Sequence, residues 1–106
     1  MRITLTARHG KASDKLKEHA ENEVRRLKKY YEGIIDCEII LDYVKTNQIA
    51  EINIRVYGTV LNSIVESSDV YKSISEAVTK LERQLKKYKE KWKKKTPIDK
   101  SLGLIE

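Results

Sequence analysis

The stretch that most restricts the fold is QIAEINIRVYGTVLNSIVES, residues 48–67. In its first half Ala50, Ile52, Ile54 and Val56 alternate with Glu51, Asn53, Arg55 and Tyr57. A period of two sends successive side chains to opposite faces of a strand, so this segment over 48–57 has one apolar and one polar face. Gly58 marks a tight turn, and residues 59–67 return as the next strand. DCEIILDYV (36–44) reads as the strand before them. RITLTA (2–7) supplies a first strand, with Ile3 and Leu5 on one face and Thr4 and Thr6 on the other. Three consecutive antiparallel strands plus this one make a four-stranded sheet, and its apolar face must be buried under a second layer.

Two helical segments are available to cover it. Ser13 is a plausible N-cap with Asp14 in the first turn. Leu16, Ala20, Val24, Leu27 and Tyr31 then recur at helical spacing, and Gly33 stands where a helix stop is expected. Ser67, Ser68 and Asp69 cap a second, longer helix over about 69–94, roughly 39 Å at 1.5 Å per residue. Pro97 prevents its continuation. At 100° per residue from Ile74, the side chains of Val78, Leu81, Leu85, Tyr88 and Trp92 all fall within about 40° of it, an apolar stripe. The order β-α-β-β-β-α defines an α+β two-layer sandwich with both helices on one face of the sheet. Residues 1–95 form one domain, and 96–106 are a tail or the start of a linker.

Charge is sorted as clearly as hydropathy. The 106-residue chain has a net charge of +6. Residues 80–95 hold nine basic and two acidic side chains, a net +7, so the remainder is close to neutral. Lys80, Arg83, Lys87, Lys91 and Lys94 lie between about 180° and 260° from the apolar stripe and form one basic ridge. Lys86 and Lys93 make a second edge, and Lys89 adds to the same segment. A merely solvated helix would mix signs in i,i+4 pairs, whereas Arg83, Lys87 and Lys91 repel one another at that spacing. Such a ridge is better explained by an anionic partner: nucleic acid, an acidic membrane surface or an acidic protein. Arg25, Arg26, Lys28 and Lys29 cluster at the end of the first helix. Residues 1–33 sum to +4 and residues 34–79 to −4, so the helical layer is basic and the strands acidic.

Other chemistries find little support. No apolar run approaches the ~20 residues that span a bilayer, and the N-terminal segment alternates where a signal peptide would be continuously apolar. Cys37 is the single cysteine, which suits a reduced, cytoplasmic setting and a buried strand thiol. His9 reads as a loop residue and His19 as a packed flank of the first helix. There is no phosphate-binding glycine loop, catalytic constellation or metal-ligand spacing. The expectation is therefore no enzyme, no cofactor, no metal and no small-molecule substrate. Tyr88 and Trp92 are able to stack on bases, but their place on the apolar stripe favours packing.

DVYKSISEAVTKLERQLKKYKEKWKK resembles the second helix of the ribosome hibernation promoting factor family, also called ribosome-associated inhibitors. Asp69, Tyr71 and Ile74 match its opening, and Lys80, Leu81, Arg83, Gln84, Leu85, Lys87 and Lys89 match its continuation without a gap. Leu16, Arg26, Leu27 and Tyr30 fit the first helix, and Arg8 fits the basic position that ends the first strand. Glu23 departs from the pattern, standing where the family usually has a basic residue; Ser75 replaces an aspartate and Ala7 a glycine. The resemblance covers about residues 2–95. It implies a fold similar to double-stranded-RNA-binding domains. It also implies binding to ribosomal RNA of the small ribosomal subunit, in the channel used by messenger and transfer RNA, so that translation stops without any catalytic step. The residues expected at that interface are Arg8, Arg25, Arg26, Lys28, Lys29, Lys80, Arg83, Lys87, Lys89, Lys91 and Lys94. Longer family members dimerise through a further C-terminal domain, the one route to a homodimer that the resemblance offers. Two alternatives remain from the residues alone: a general structured-RNA binder, and a basic amphipathic helix lying on a membrane or in a partner's groove.

Overall fold

The computed structural model describes residues 1–95, with side chains described as far as Lys91. The chain order is β1 (Arg2–Ala7), α1 (Asp14–Arg25), a 3-10 turn (Arg26–Lys29), β2 (Asp36–Val44), β3 (Asn47–Val56), β4 (Thr59–Ser67) and α2 (Val70–Lys95). The four strands form one sheet in the order β1-β2-β3-β4. β2, β3 and β4 pair antiparallel through short hairpins. β1 pairs with β2 in parallel, with Ile3 opposite Cys37 and Leu5 opposite Ile39. That direction follows from α1: a helical crossover returns the chain to the end of the sheet from which it started, which a two-residue hairpin never does.

The alternation in the sequence is the alternation of the sheet. Ala50, Ile52, Ile54 and Val56 are buried on the inner face together with Cys37, Ile39 and Leu41 of β2 and Val65 of β4. Both helices cover this face. α2 contributes Ile74, Ala77, Val78, Leu81 and Leu85, all fully buried, and α1 with its following turn contributes Ala20, Val24 and Leu27. These residues form a single hydrophobic core. Two serines are buried within it, and both are satisfied. Ser63 Oγ donates to the Ala77 carbonyl at 2.9 Å. Ser73 Oγ donates to the Gln48 carbonyl at 2.8 Å, fastening the first turn of α2 to β3.

The caps are where the spacing puts them. Ser13 Oγ accepts from the Leu16 amide at 3.1 Å, and Asp69 Oδ1 accepts from the Tyr71 amide at 2.9 Å. The two helices run side by side in the same direction: His19, midway along α1, meets Tyr71 in the first turn of α2, with ring centroids 4.9 Å apart, and Arg26 reaches Glu82 further along. Near the far end of the sheet, Tyr88 Oη donates to the Tyr57 carbonyl at 2.6 Å. α2 then continues beyond the β3–β4 turn with its last, lysine-rich turns.

The first helix differs from its expected extent. Regular α-helix ends at Arg25, and residues 26–29 tighten into the 3-10 turn. The Arg26 amide is shared between the Glu23 and Val24 carbonyls, and the Tyr30 and Tyr31 amides both bond the Leu27 carbonyl. Tightening of this kind is common in the last turn of a helix. Gly33 also has a different role from the helix stop expected of it. Its backbone is not left-handed, but a Cβ there would lie 2.5 Å from the Tyr31 ring. Glycine is needed because Tyr31 folds back over the chain to pack edge-on against Tyr88, with centroids 5.4 Å apart.

Candidate nucleic-acid interface

The cations of α2 occupy the side of the helix that the core does not use. Arg83 points straight away from the buried stripe, and Lys87, Lys91 and Lys80 follow it on the β4 side. Arg83, Lys87, Lys89 and Lys91 are exposed, and among the described residues none of them enters an ion pair. Lys80 is exposed as well, with its Nζ 3.5 Å from the Ile64 carbonyl. Beside it, Gln84 Nε2 donates to the Asn62 carbonyl at 2.7 Å. Side chains of α2 thus screen the outer edge of β4, where unpaired carbonyls would otherwise invite another strand. Lys94 lies in the last turn of α2, and its side chain falls outside the described residues, as does that of Trp92.

Part of this charge has a purely local reason. Cations in the last turn of a helix complement the negative end of its dipole. The effect fades within about one turn, so it accounts for the lysines near residue 95 and not for Lys80 or Arg83, three or more turns earlier. Glu82 is turned to the other side of the helix and is engaged with α1. Arg83, Lys87 and Lys91 are therefore a row of like charges with no ion-pair partner among the described residues.

The basic end of α1 is arranged differently. Arg26 forms ion pairs with Glu23 at 3.0 Å and Glu82 at 3.2 Å, bridging the two helices. Both carboxylates are largely covered, at 17% and 14% side-chain exposure, so this guanidinium is committed to the fold. Arg25 contacts Glu21 at 3.5 Å and Asn22 at 3.4 Å. Arg25 and Lys28 face the β1 side, where they line a shallow groove with Met1 and Ile3. Lys28 and Lys29 are exposed and, among the described residues, unpaired. On the α2 side, Lys86 Nζ lies 5.6 Å above the Tyr30 ring. The four cations clustered in the sequence thus fan out around the tightened turn, and α1 and α2 do not present one flat basic plane.

Arg8 stands at the other end of the molecule, 3.6 Å from Asp42 and 3.9 Å from Glu51. His9 Nδ1 lies 2.7 Å from Asp42 Oδ1. That hydrogen bond, with the Tyr43 amide, holds the Asp42 carboxyl below its ordinary range. Lys11 and Lys45, which sequence reasoning did not single out, share a cavity with His9 and Asp42. They are scattered along the chain and only the fold brings them together. Cys37 is buried, and burial pushes its thiol up to about 12, so it is neutral and inert. His19 is a packed residue; its Nε2 is buried without a hydrogen-bond partner among the described residues.

A ridge of exposed cations on an α+β domain is a charge pattern that nucleic-acid-binding proteins share. The particular family follows from comparison. Residues 3–93 match the family described as Sigma 54 modulation protein / S30EA ribosomal protein, and the chain belongs to it. Among similar proteins, the Ribosome hibernation promoting factor of Azotobacter vinelandii is 29% identical over 91 residues, covering 86% of this chain and 85% of that protein. The Ribosome hibernation promotion factor of Bacillus subtilis is 31% identical over 83 residues, covering 76% of this chain but 44% of that longer protein. The fold is that of a solved ribosomal subunit interface protein from Coxiella burnetii. The TM-score is 0.81 at 32% identity, over 85% of this chain and 99% of that one.

Proposed function

We propose that this chain is a ribosome-binding hibernation factor. It binds ribosomal RNA of the small subunit through the ridge Lys80, Arg83, Lys87 and Lys91, and it occupies the channel used by messenger and transfer RNA. The carrying observation is the row of exposed cations on α2 that, among the described residues, make no ion pair. Family membership supports reading that row as a ribosomal rather than a general anion-binding surface. Lysines and arginines of this kind neutralise phosphates and release counterions without reading sequence, and a rigid helix on a sheet suits recognition of RNA by shape. Inhibition needs occupancy alone, so no catalytic residue is assigned. The working compartment is the cytoplasm, where ribosomes are. Residues 1–95 are the binding unit.

Reversal of Arg83 and Lys87 to glutamate tests this reading, because both side chains leave the core untouched. The folded double variant should no longer co-sediment with small subunits or inhibit cell-free translation, while the wild type does both and is displaced by excess transfer RNA. Unchanged inhibition by the variant would reduce the ridge to a solvated face. Equally tight binding to unrelated duplex RNA would favour a general structured-RNA binder.

A further inference from the structure

At the end of the molecule where both helices begin, a cavity of about 400 Å³ opens between the end of β1, the β2–β3 turn and the first turn of α2. Its floor is aliphatic, made by Ala12, Leu16, Leu41 and Val70. Its rim carries Lys11 and Lys45, both exposed. Its wall carries the Asp42 carboxylate and the Gln48 amide. Asp42 Oδ1 is taken by His9 and the Tyr43 amide, whereas Oδ2 has only a 3.6 Å ion pair with Arg8 and retains acceptor capacity. The His9 bond favours the ionised form of this carboxyl. Lys45 sits at φ 58°, a left-handed conformation that glycine or asparagine adopts more readily.

These features select among ligands. A bare phosphate makes no use of an aliphatic floor and is repelled by a carboxylate. A purely apolar ligand makes no use of two lysines. A nucleoside phosphate uses all three parts: a flat base against the floor, an amino or hydroxyl donor to Asp42 and Gln48, and a phosphate between the lysines. We propose that this cavity binds one nucleoside 5′-phosphate unit, supplied either as a free nucleotide or as a single unstacked residue of an RNA strand. The site is remote from the α2 ridge and is independent of the ribosomal reading.

Amide chemical shifts of the whole chain, followed during titration with AMP, adenosine, inorganic phosphate and a single-stranded pentaribonucleotide, test the proposal. AMP or the RNA should shift the amides of Leu16, Leu41, Tyr43 and Gln48. Lys11→Gln combined with Lys45→Asn should weaken that binding roughly tenfold, the scale of charge-assisted contacts, and asparagine suits the backbone at 45. Ala12→Leu, which narrows the floor without touching charge, should weaken it too. RNA binding that displaces AMP identifies an RNA residue as the occupant; AMP binding that RNA does not displace identifies a free nucleotide. The proposal is overturned if neither AMP nor RNA moves these amides, if inorganic phosphate moves them as strongly as AMP, or if both folded variants bind like the wild type. No ribosome is present, so these outcomes are separate from those of the ridge experiment.

Discussion

The end of α1 and the outer side of α2 hold the same kinds of residues and use them in opposite ways. Arg25 and Arg26 are tied to Glu21, Glu23 and Glu82. Arg83, Lys87 and Lys91 are exposed and, among the described residues, have no carboxylate partner. The difference lies in what each helix faces. At the end of α1, Arg25 is turned toward its own acid at i−4 and Arg26 toward its acid at i−3 and toward the neighbouring helix, so Arg26 ties the two-helix layer together. α2 turns Glu82 away from the ridge and toward Arg26, so Arg83, Lys87 and Lys91 keep no carboxylate partner among the described residues. A basic cluster therefore becomes a candidate contact surface only after its internal partners have been subtracted.

The largest expected effect breaks the frame that both regions share. Leu81 is fully buried where α2 crosses the sheet, and Leu81→Ala should destabilise the fold by about 2–5 kcal/mol. Denaturant melts measure this directly. A loss below roughly half a kcal/mol, the range of ordinary surface changes, would mean that α2 does not pack as described.

Next comes the comparison itself. Arg83→Ala should weaken RNA binding and flatten its log–log salt dependence by roughly one unit, the signature of one lost phosphate contact. Arg26→Ala should leave that slope nearly unchanged and instead lower stability, because it strands Glu23 and Glu82 in partly covered positions. Equal salt slopes for the two variants would erase the distinction drawn between the helices.

Much of this was legible in the sequence, and what was not has a physical reason. The period of two in 48–57 and the stripe from Ile74 to Leu85 gave the layers, because burial on one face leaves a local, repeating mark. Ser13 and Asp69 announced their helices for the same local reason. The parallel pairing of β1 with β2 is a long-range property that no short pattern records. The 3-10 turn depends on how Leu27 and Tyr31 settle against the core. Glu23 looked like a departure from the family's basic pattern, yet its role is to hold Arg26, visible only once α2 brings Glu82 alongside. Lys11 and Lys45 are ordinary loop lysines until the fold places them on one cavity. The eleven cations named from the sequence were thus a list of charges, and the structure sorts all but Lys94, whose side chain lies outside the described residues, into paired and unpaired.

A smaller effect sharpens the junction between the two regions. Gly33→Ala would place a methyl group against the Tyr31 ring. The ring has to move, and its edge-on contact with Tyr88 is lost. Aromatic pairs of this geometry contribute about 0.5–1.5 kcal/mol, so a loss of that order is expected, accompanied by a change in tyrosine ring shifts. An unaltered Tyr31 environment in the variant would show that the ring does not need the bare backbone at 33.

The smallest effect lies at the end of the sheet opposite Tyr57 and Tyr88, where a carboxylate is held by its neighbours as those of α1 are. The hydrogen bond from His9 and then the Tyr43 amide depress the Asp42 pKa below its ordinary value of 3.8. A depressed carboxyl contributes stability that is present above the unfolded-state value and lost as pH falls through the folded one. Asp42→Asn should therefore differ from wild type near neutral pH and converge with it below about pH 4, where the unfolded carboxyl takes up its proton. The difference will be modest, since the carboxyl's partners Arg8 and His9 are largely exposed and pairs with exposed groups contribute little. Thermal melts of both proteins across the acid range read it. A gap that widens with falling pH would reverse the sign of the argument and show that Asp42 is stabilised in its protonated form, so that the link from His9 through Asp42 to Arg8 is not the one described.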